Sequence, residues 1–312
     1  MRIKEYLTGI KNNNRAILAQ AITLIESSLN SDKIKAAQLL EHCIPITKPS
    51  IRIGISGTPG VGKSTFIEKL GILLTKKKYK IAVLAIDPSS TVSKGSILGD
   101  KTRMEKLTHH PSAFIRPSPN LGKLGGVCNS TKDSITLCEA AGYNIIIVET
   151  VGVGQSEGMV ESVTDFFLYM TLVQNGDELQ FLKKGVLELS DIIVINKYDQ
   201  NKQKAEIMKL VLEQHLHISN FKKSQKVFNC SALQNINIDT IWKHIKLIHQ
   251  KNKTNGNFNK KRNSQNIFWL QEIIKAEYMD KIVRKINQIT QVFQEKPPEN
   301  PRKEALKIIK KL

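Results

Sequence analysis

The sequence predicts an α/β fold with a mainly parallel sheet and helices on both of its faces. Apolar runs alternate with helical stretches, and each run is followed directly by a polar residue. Asp87 follows Ile81 to Ile86, Glu149 follows Ile145 to Val148, Asn196 follows Ile192 to Ile195, and Ser231 follows Val227 to Cys230. Uninterrupted runs of this length are typical of parallel strands that are covered on both faces. A further strand is expected over Phe166 to Val173. Because ligands bind beyond the carboxyl ends of such strands, the polar residues after the runs are expected to converge there.

Residues 1–49 precede the first expected strand and are predicted to be helical. Apolar residues from Ile17 to Leu29 recur at helical spacing, and Lys35 to His42 continues the pattern after a polar break. Pro45 and Pro49 then stop helix formation just before the strand. We expect an accessory helical segment beside the sheet.

A glycine-rich run connects the first strand to a helix. The run Gly57-Thr58-Pro59-Gly60-Val61-Gly62-Lys63-Ser64-Thr65 follows the strand-like segment Ile51 to Ser56 and opens the helical segment Phe66 to Leu74. Its glycines, lysine and serine stand at the Walker A spacing. In such a loop, backbone N–H groups surround phosphates, the lysine reaches the terminal phosphates, and the serine hydroxyl coordinates magnesium. The predicted fold class is therefore a three-layer P-loop NTPase, with all nine residues as nucleotide ligands.

Carboxylates at strand ends are candidates for holding magnesium together with Ser64. Asp87 and Glu149 directly follow apolar strands, and hard cations prefer carboxylate oxygens. Lys63 and magnesium would compensate charge during phosphoryl transfer, which needs positioning more than covalent chemistry. Gln155 is a candidate for positioning the attacking water.

Two further strand ends carry a pattern that reads guanine. Asn196-Lys197-Tyr198-Asp199 matches Asn-Lys-x-Asp, in which the last carboxylate accepts hydrogen bonds from the guanine N1–H and 2-amino groups. Adenine does not offer these donors in the same arrangement, so GTP is the predicted nucleotide. Ser231-Ala232-Leu233, after the next strand, fits a loop whose backbone supports the base.

The pattern changes after residue 250. We expect a P-loop GTPase domain over 50–250, a polar low-complexity linker over 251–266, and a C-terminal helical arm over 267–312. Ile267 to Phe293 carries apolar positions at helical spacing, and three prolines end that helix.

The composition is strongly basic, with 47 Lys and Arg against 28 Asp and Glu in 312 residues, a formal net charge of +19. Such a balance favours polyanionic partners, but many lysines lie in Lys- and Asn-rich stretches, so nucleic acid is not expected as a partner. No apolar run reaches the roughly 20 residues of a membrane helix. Cys43, Cys128, Cys138 and Cys230 form no close pair and indicate buried thiols. We expect a cytoplasmic protein that binds no membrane.

Several segments between Gly54 and Asp199 resemble those of one family. Besides the two nucleotide motifs, they are Ala85 to Ser90, Ser96 to Met104, Arg116 to Pro119, Glu149 to Glu157 and Gly176 to Gln180. The family is that of the methylmalonyl-CoA mutase-associated GTPases, of the MeaB and ArgK type, which is related to the mitochondrial MMAA protein.

The resemblance implies a GTP-hydrolysing metallochaperone that gates the delivery of adenosylcobalamin to methylmalonyl-CoA mutase and protects the mutase. The implied cofactors are GTP, GDP and Mg²⁺. The implied partners are the mutase, a cobalamin adenosyltransferase and a second copy of the chain, which would dimerise through the arm.

The resemblance also adds site residues. It places Asp100 in the metal set with Ser64, Asp87 and Glu149, and it implies that residues 174–184 face the mutase. In that segment, the candidates for coupling partner binding to hydrolysis are Asp177, Lys183 and Lys184. The expected catalytic set is Lys63, Glu149, Gln155 and Lys183.

Three other functions fit parts of the sequence. A GTPase for nickel insertion into another metalloenzyme would share the fold, although the histidines form only two close pairs, at 109–110 and 215–217. An amino-acid transport-system kinase would need a protein-substrate site, for which the sequence gives no signal. A nucleic-acid-binding module would show tight and strongly salt-dependent binding to RNA or DNA.

Overall fold

The computed structural model describes residues 1–87, 104–119, 124–150, 157–173, 184–218, 225–291 and 300–309. The chain divides into two compact units, Met1–Gln265 and Asn266–Leu312.

A seven-stranded sheet forms the centre of the first unit, and all of its paired strands are parallel. The order across the sheet is β3-β2-β4-β1-β5-β6-β7, which places β1 in the middle. The strands are β1 (Ile51–Gly57), β2 (Ile81–Asp87), β3 (Ala113–Pro119), β4 (Ile145–Thr150), β5 (Phe166–Leu172), β6 (Ile192–Asn196) and β7 (Lys226–Asn229). The sheet confirms the predicted α/β fold.

Helices cover both faces of the sheet. In chain order, the helices of the two units are α1 (Ile3–Lys11), α2 (Arg15–Glu26), α3 (Asn30–Cys43), α4 (Lys63–Lys76), α5 (Glu105–Thr108), α6 (Leu124–Ala140), α7 (Glu157–Glu161), α8 (Lys184–Leu189), α9 (Lys202–Ile218), α10 (Ile238–Thr254), α11 (Asn257–Thr290) and α12 (Pro301–Ile309), with a 3₁₀ turn over Ile44–Ile46. None of the helices within the described ranges is long and apolar enough to cross a membrane.

The central strand shows how the three layers form. Ile53 and Ile55 of β1 are buried in one cluster with Phe66 of α4 and Trp242 of α10. On the other face, Gly54 lies so close to α7 that an added Cβ would stand 2.6 Å from Val160 Cγ1. Burial of apolar side chains on both faces is what the uninterrupted strand patterns predicted.

Strand β3 was not predicted, because its sequence lacks an uninterrupted apolar run. Pro117 and Pro119 cannot donate backbone hydrogen bonds, and a strand with two prolines is tolerated at the edge of a sheet. The N-terminal helices pack beside this strand. Arg116 of β3 donates through Nη2 to Glu26 Oε2 at 2.5 Å, and Arg15 Nη1 donates to the Ala113 carbonyl at 3.2 Å.

The expected polar linker over 251–266 is not observed. The range is helical except at Asn255 and Gly256, where α10 ends and α11 begins. The charged residues that suggested a solvated linker instead bind the sheet domain. Lys261 Nζ donates to the Asp165 carbonyl at 3.0 Å, and Gln265 Nε2 donates to the Thr164 carbonyl at 2.8 Å.

Arg262 is the centre of this contact. Its Nε and Nη2 atoms each donate to one carboxylate oxygen of Asp165 at 2.9 Å, and Nη2 also donates to the Ser50 carbonyl at 3.0 Å. Arg52 donates to Glu139 at 2.8 and 2.9 Å, and its backbone N–H donates to Asp165 Oδ2 at 2.8 Å. We call Arg52, Glu139, Asp165 and Arg262 the ion cluster. It lies where β1 and β5 begin, at the opposite edge of the sheet from the Walker A run.

The second unit contains the rest of α11 and the short helix α12. Apolar side chains of α11 are exposed in the single chain, and they include Leu270, Ile273, Ile274, Tyr278, Met279 and Val283. This surface matches the amphipathic pattern on which the expected arm rests.

The prediction of buried thiols is confirmed for three cysteines. Cys43, Cys138 and Cys230 are free and buried. Burial raises the pKa of Cys43 to about 11 and that of Cys230 to about 12. The side chain of Cys128 lies outside the described residues.

We expect Arg262→Met to destabilise the protein, because it leaves two buried carboxylates without their shared cation. Loss of one partner of a buried pair costs about 3–5 kcal/mol in the free energy of unfolding. Urea unfolding measures this value. Lys243→Met is the matched control, since its ion pair with Asp239 is exposed and contributes little. Equal unfolding midpoints for the two variants would contradict a structural role of the ion cluster.

Candidate nucleotide-binding site

The Walker A run forms the turn between β1 and α4. Gly57 is the last residue of β1 and Lys63 is the first of α4. Gly60 and Gly62 have φ angles of +76° and +91°, in the left-handed region that side chains disfavour. A Cβ at Gly62 would also lie 2.7 Å from Asn196 Nδ2, whereas one at Gly60 would meet nothing within 4 Å. The glycines therefore permit both the turn and a close approach of β6.

The Lys63 side chain lies over the start of the Walker A run, residues 57–65, which we call the phosphate loop. This side chain is buried, and Nζ donates to the Gly57 carbonyl at 2.7 Å and to the Thr58 carbonyl at 3.3 Å. The ammonium group thus stands against two carbonyl oxygens at the start of the loop. A cation at the N-terminus of a helix, as Lys63 is at the start of α4, can bind phosphates.

Ser64 and Glu149 meet in a cavity beside the phosphate loop. Ser64 Oγ donates to Glu149 Oε1 at 3.3 Å. The cavity has a volume of about 400 Å³, and its lining also includes Lys63 and the ends of β2 and β4 at Ile86 and Thr150. A hydroxyl and a carboxylate oxygen in contact are oxygen donors of the kind that Mg²⁺ prefers.

The remaining predicted metal and catalytic residues are only partly covered by the structure. The backbone of Asp87 ends β2, one residue beyond the pairing of Ile86 with Thr150. Its side chain, and all of Asp100, Gln155, Asp177 and Lys183, lie outside the described residues. Within the ranges given above, no group of three His, Cys, Asp or Glu side chains is arranged to hold a metal ion.

The predicted guanine-reading motif meets the phosphate loop through one amide. Asn196 Nδ2 donates to the Val61 carbonyl at 2.7 Å, and Asn196 Oδ1 accepts from the Ala232 N–H at 3.0 Å. The Tyr198 N–H donates to the Cys230 carbonyl at 3.0 Å, which connects the same two loops. The structure thus brings three predicted segments, 57–65, 196–199 and 231–233, into one hydrogen-bonded assembly.

Two other features of these loops bear on base binding. Lys197 has a φ of +59°, which is uncommon for a side chain of its type. Asp199 Oδ1 is buried and has no hydrogen-bond partner among the residues that the structure describes. A buried acceptor without a partner is costly, so a ligand that donates to it would be bound favourably. Leu233 is exposed, and any support that it gives a base would come from its backbone.

One contact at the site was missed by the sequence analysis. Thr150 Oγ1 donates to Ser56 Oγ at 2.9 Å, and both residues are fully buried. The only sequence signal was a small polar residue at the end of each buried strand.

A central parallel sheet, a Walker A loop after β1 and an Asn-Lys-x-Asp turn after β6 define a P-loop protein of the class that hydrolyses nucleoside triphosphates. The family model described as Methylmalonyl Co-A mutase-associated GTPase MeaB matches residues 18–287. The chain belongs to this family and is a GTPase.

Curated relatives agree with the family. GTPase ArgK of Escherichia coli K12 is 42% identical over 282 residues, which cover 89% of this chain and 85% of that protein. The probable GTPase Rv1496 of Mycobacterium tuberculosis H37Rv is 41% identical over 279 residues, covering 88% and 83%. The mitochondrial methylmalonic aciduria type A homolog of Mus musculus is 39% identical over 291 residues, covering 88% and 69%.

The fold is also similar to a solved structure. A crystal structure described as LAO/AO transport system kinase superposes with a TM-score of 0.76 at 32% sequence identity. The match covers 99% of this chain and 96% of that one.

We expect Gly62→Ala to lower stability more than Gly60→Ala. Both substitutions place a side chain in the left-handed region, which costs about 1–2 kcal/mol. Gly62→Ala also displaces the Asn196 amide, and unpaired buried groups cost about 1–3 kcal/mol more. Urea unfolding of the nucleotide-free protein measures the difference. Equal losses would show that the glycine is needed only for its backbone conformation.

Proposed function

We propose that this GTPase is a metallochaperone that gates adenosylcobalamin delivery to methylmalonyl-CoA mutase and protects the mutase. The proposal rests on family membership, because the family's description names the mutase. The observation that supports the nucleotide part is the Asn196 amide, which joins the phosphate loop to residues 231–233, here called the base loop. The delivery of adenosylcobalamin to the mutase, and the protection of the mutase, are inferred from the family resemblance of the sequence.

In the proposed reaction, residues 57–65 bind the phosphates of GTP through backbone N–H groups, and Lys63 compensates charge on the terminal phosphates. Ser64 and Glu149 would hold magnesium, together with Asp87 and Asp100. Magnesium would neutralise charge that develops on the phosphate oxygens. Gln155 positions the attacking water, and Lys183 couples hydrolysis to the partner. The roles of Asp87, Asp100, Gln155 and Lys183 rest on sequence alone.

Guanine is read by Asp199 in this proposal. Its buried Oδ1 lacks a partner among the described residues, and the guanine N1–H and 2-amino groups would supply donors to the carboxylate. Asn196 holds the base loop against the phosphate loop, and Lys197 contributes to the base site. The backbone of Ser231, Ala232 and Leu233 supports the base from the β7 side.

The proposed assembly is a cytoplasmic homodimer that engages the mutase and a cobalamin adenosyltransferase. The exposed apolar side chains of α11 support pairing with a second copy, since a stripe of this kind is usually covered. Residues 174–184 are the proposed contact with the mutase, with Asp177 and Lys184 beside Lys183.

GTP turnover tests this function. The purified protein is assayed with magnesium, alone and with the organism's methylmalonyl-CoA mutase, using ATP as the nucleotide control and Lys63→Ala as the inactive control. We expect slow turnover alone and strong acceleration by the mutase. Turnover that the mutase leaves unchanged would contradict the proposed client, and fast turnover by the isolated protein would contradict partner control.

We expect Asp199→Asn to exchange GTP for XTP as the preferred nucleotide. The amide keeps an acceptor for N1–H but donates where the carboxylate accepted, and xanthine carries an oxygen where guanine carries its 2-amino group. Each hydrogen bond to a charged group contributes about 1.5–3 kcal/mol, so GTP affinity should fall by about a hundredfold. Equilibrium binding of both nucleotides measures the exchange. Asp239→Asn is the control, because the Asp239 side chain is 40% exposed on α10. Unchanged GTP affinity in Asp199→Asn would contradict guanine reading by this residue.

A further inference from the structure

Two hydroxyl side chains form a buried pair at the carboxyl ends of β1 and β4. Ile55 pairs with Glu149 in the parallel register, so Ser56 and Thr150 occupy the next positions along the two strands. Thr150 Oγ1 donates to Ser56 Oγ at 2.9 Å, and both residues are 0% exposed. We call them the hydroxyl pair.

Stability alone does not account for the hydroxyl pair. Burying two hydroxyl groups costs free energy that their mutual hydrogen bond largely offsets. Replacement of both partners by apolar groups of similar shape is often nearly neutral. The strand residues around the pair, such as Ile55 and Val148, are apolar and fully buried.

The neighbours of the hydroxyl pair suggest a different role. Ser56 directly precedes Gly57, whose carbonyl accepts from Lys63 Nζ. Thr150 directly follows Glu149, whose carboxylate accepts from Ser64. One hydrogen bond therefore connects the strand end that begins the phosphate loop with the strand end that carries the metal-site carboxylate.

We propose that the hydroxyl pair is a positioning pair, which fixes the Glu149 carboxylate relative to the phosphate loop and thereby favours GTP over GDP. This inference rests on the proposed function. Ser64 and Glu149 would hold the magnesium that compensates the charge of a bound triphosphate, so triphosphate binding depends on where the carboxylate stands. A diphosphate depends more on the phosphate loop and the base loop, which Asn196 holds together independently of Thr150. Small misplacements at such sites cost up to about a hundredfold in rate.

The test compares Ser56→Ala, Thr150→Val, the double variant and Thr150→Ser. For each protein, we would measure the affinities for GDP and for a non-hydrolysable GTP analogue with magnesium, together with kcat, KM and the unfolding midpoint. Thr164→Val is the matched control: Thr164 is also fully buried, but its hydroxyl donates to the Val160 carbonyl, beside the ion cluster.

We expect Ser56→Ala and Thr150→Val to keep GDP affinity and to lose about tenfold in the preference for the GTP analogue, with a fall in kcat. Thr150→Ser retains the hydroxyl and should recover most of that preference. The double variant should regain the unfolding midpoint that each single variant loses, because neither hydroxyl is left unpaired, yet it should not regain the preference or kcat. Thr164→Val should lose stability without a change in the preference.

Two results would overturn the inference. The first is a normal ratio of GTP-analogue to GDP affinity in Thr150→Val despite lower stability. The second is recovery of kcat in the double variant along with its stability. Failure of the unsubstituted protein to bind either guanine nucleotide would instead overturn the proposed function, and the inference with it.

Discussion

The side-chain amide of Asn196 is the contact on which the candidate site depends. It donates to the phosphate loop at the Val61 carbonyl and accepts from the base loop at the Ala232 N–H. A planar amide carries a donor and an acceptor on one short side chain, whereas a carboxylate would have no donor for the carbonyl. Because the group is almost completely buried, both hydrogen bonds must be satisfied within the protein. The loops that follow different strands are thus held together by this side chain. The close approach of Asn196 to the phosphate loop requires a glycine at position 62.

The sequence predicted the strands that are buried on both faces, because such strands are short apolar runs between helical stretches. It did not predict β3, where Arg116 and two prolines interrupt the apolar pattern. It also took the start of α11 for a linker. Lys261 and Arg262 are held in place by hydrogen bonds to Asp165, which lies about a hundred residues earlier in the chain. Local composition carries no information about partners at that distance.

The candidate site also contains residues that the sequence predicted and contacts that it did not. Lys63, Ser64 and Asn196 belong to motifs whose chemistry requires fixed spacing, so their positions could be read from the sequence. The contact of Ser64 with Glu149, and that of Ser56 with Thr150, depend on the register between β1 and β4. Register is decided by packing of the whole sheet, and a small polar residue at a strand end does not reveal which neighbour it will meet.

The position of Arg262 has a consequence for how the chain can be divided or recombined. Composition changes at residue 250, and a fragment that ends there would keep Glu139 and Asp165 but lose the cation that they share. The first compact unit instead ends at Gln265, whose side chain donates to carbonyls of the 161–165 turn. Helix α11 runs from Asn257 to Thr290, so it begins in this unit and ends in the second one. An exchange of arms between relatives would therefore have to keep the first turns of α11 with the sheet to which they are bound.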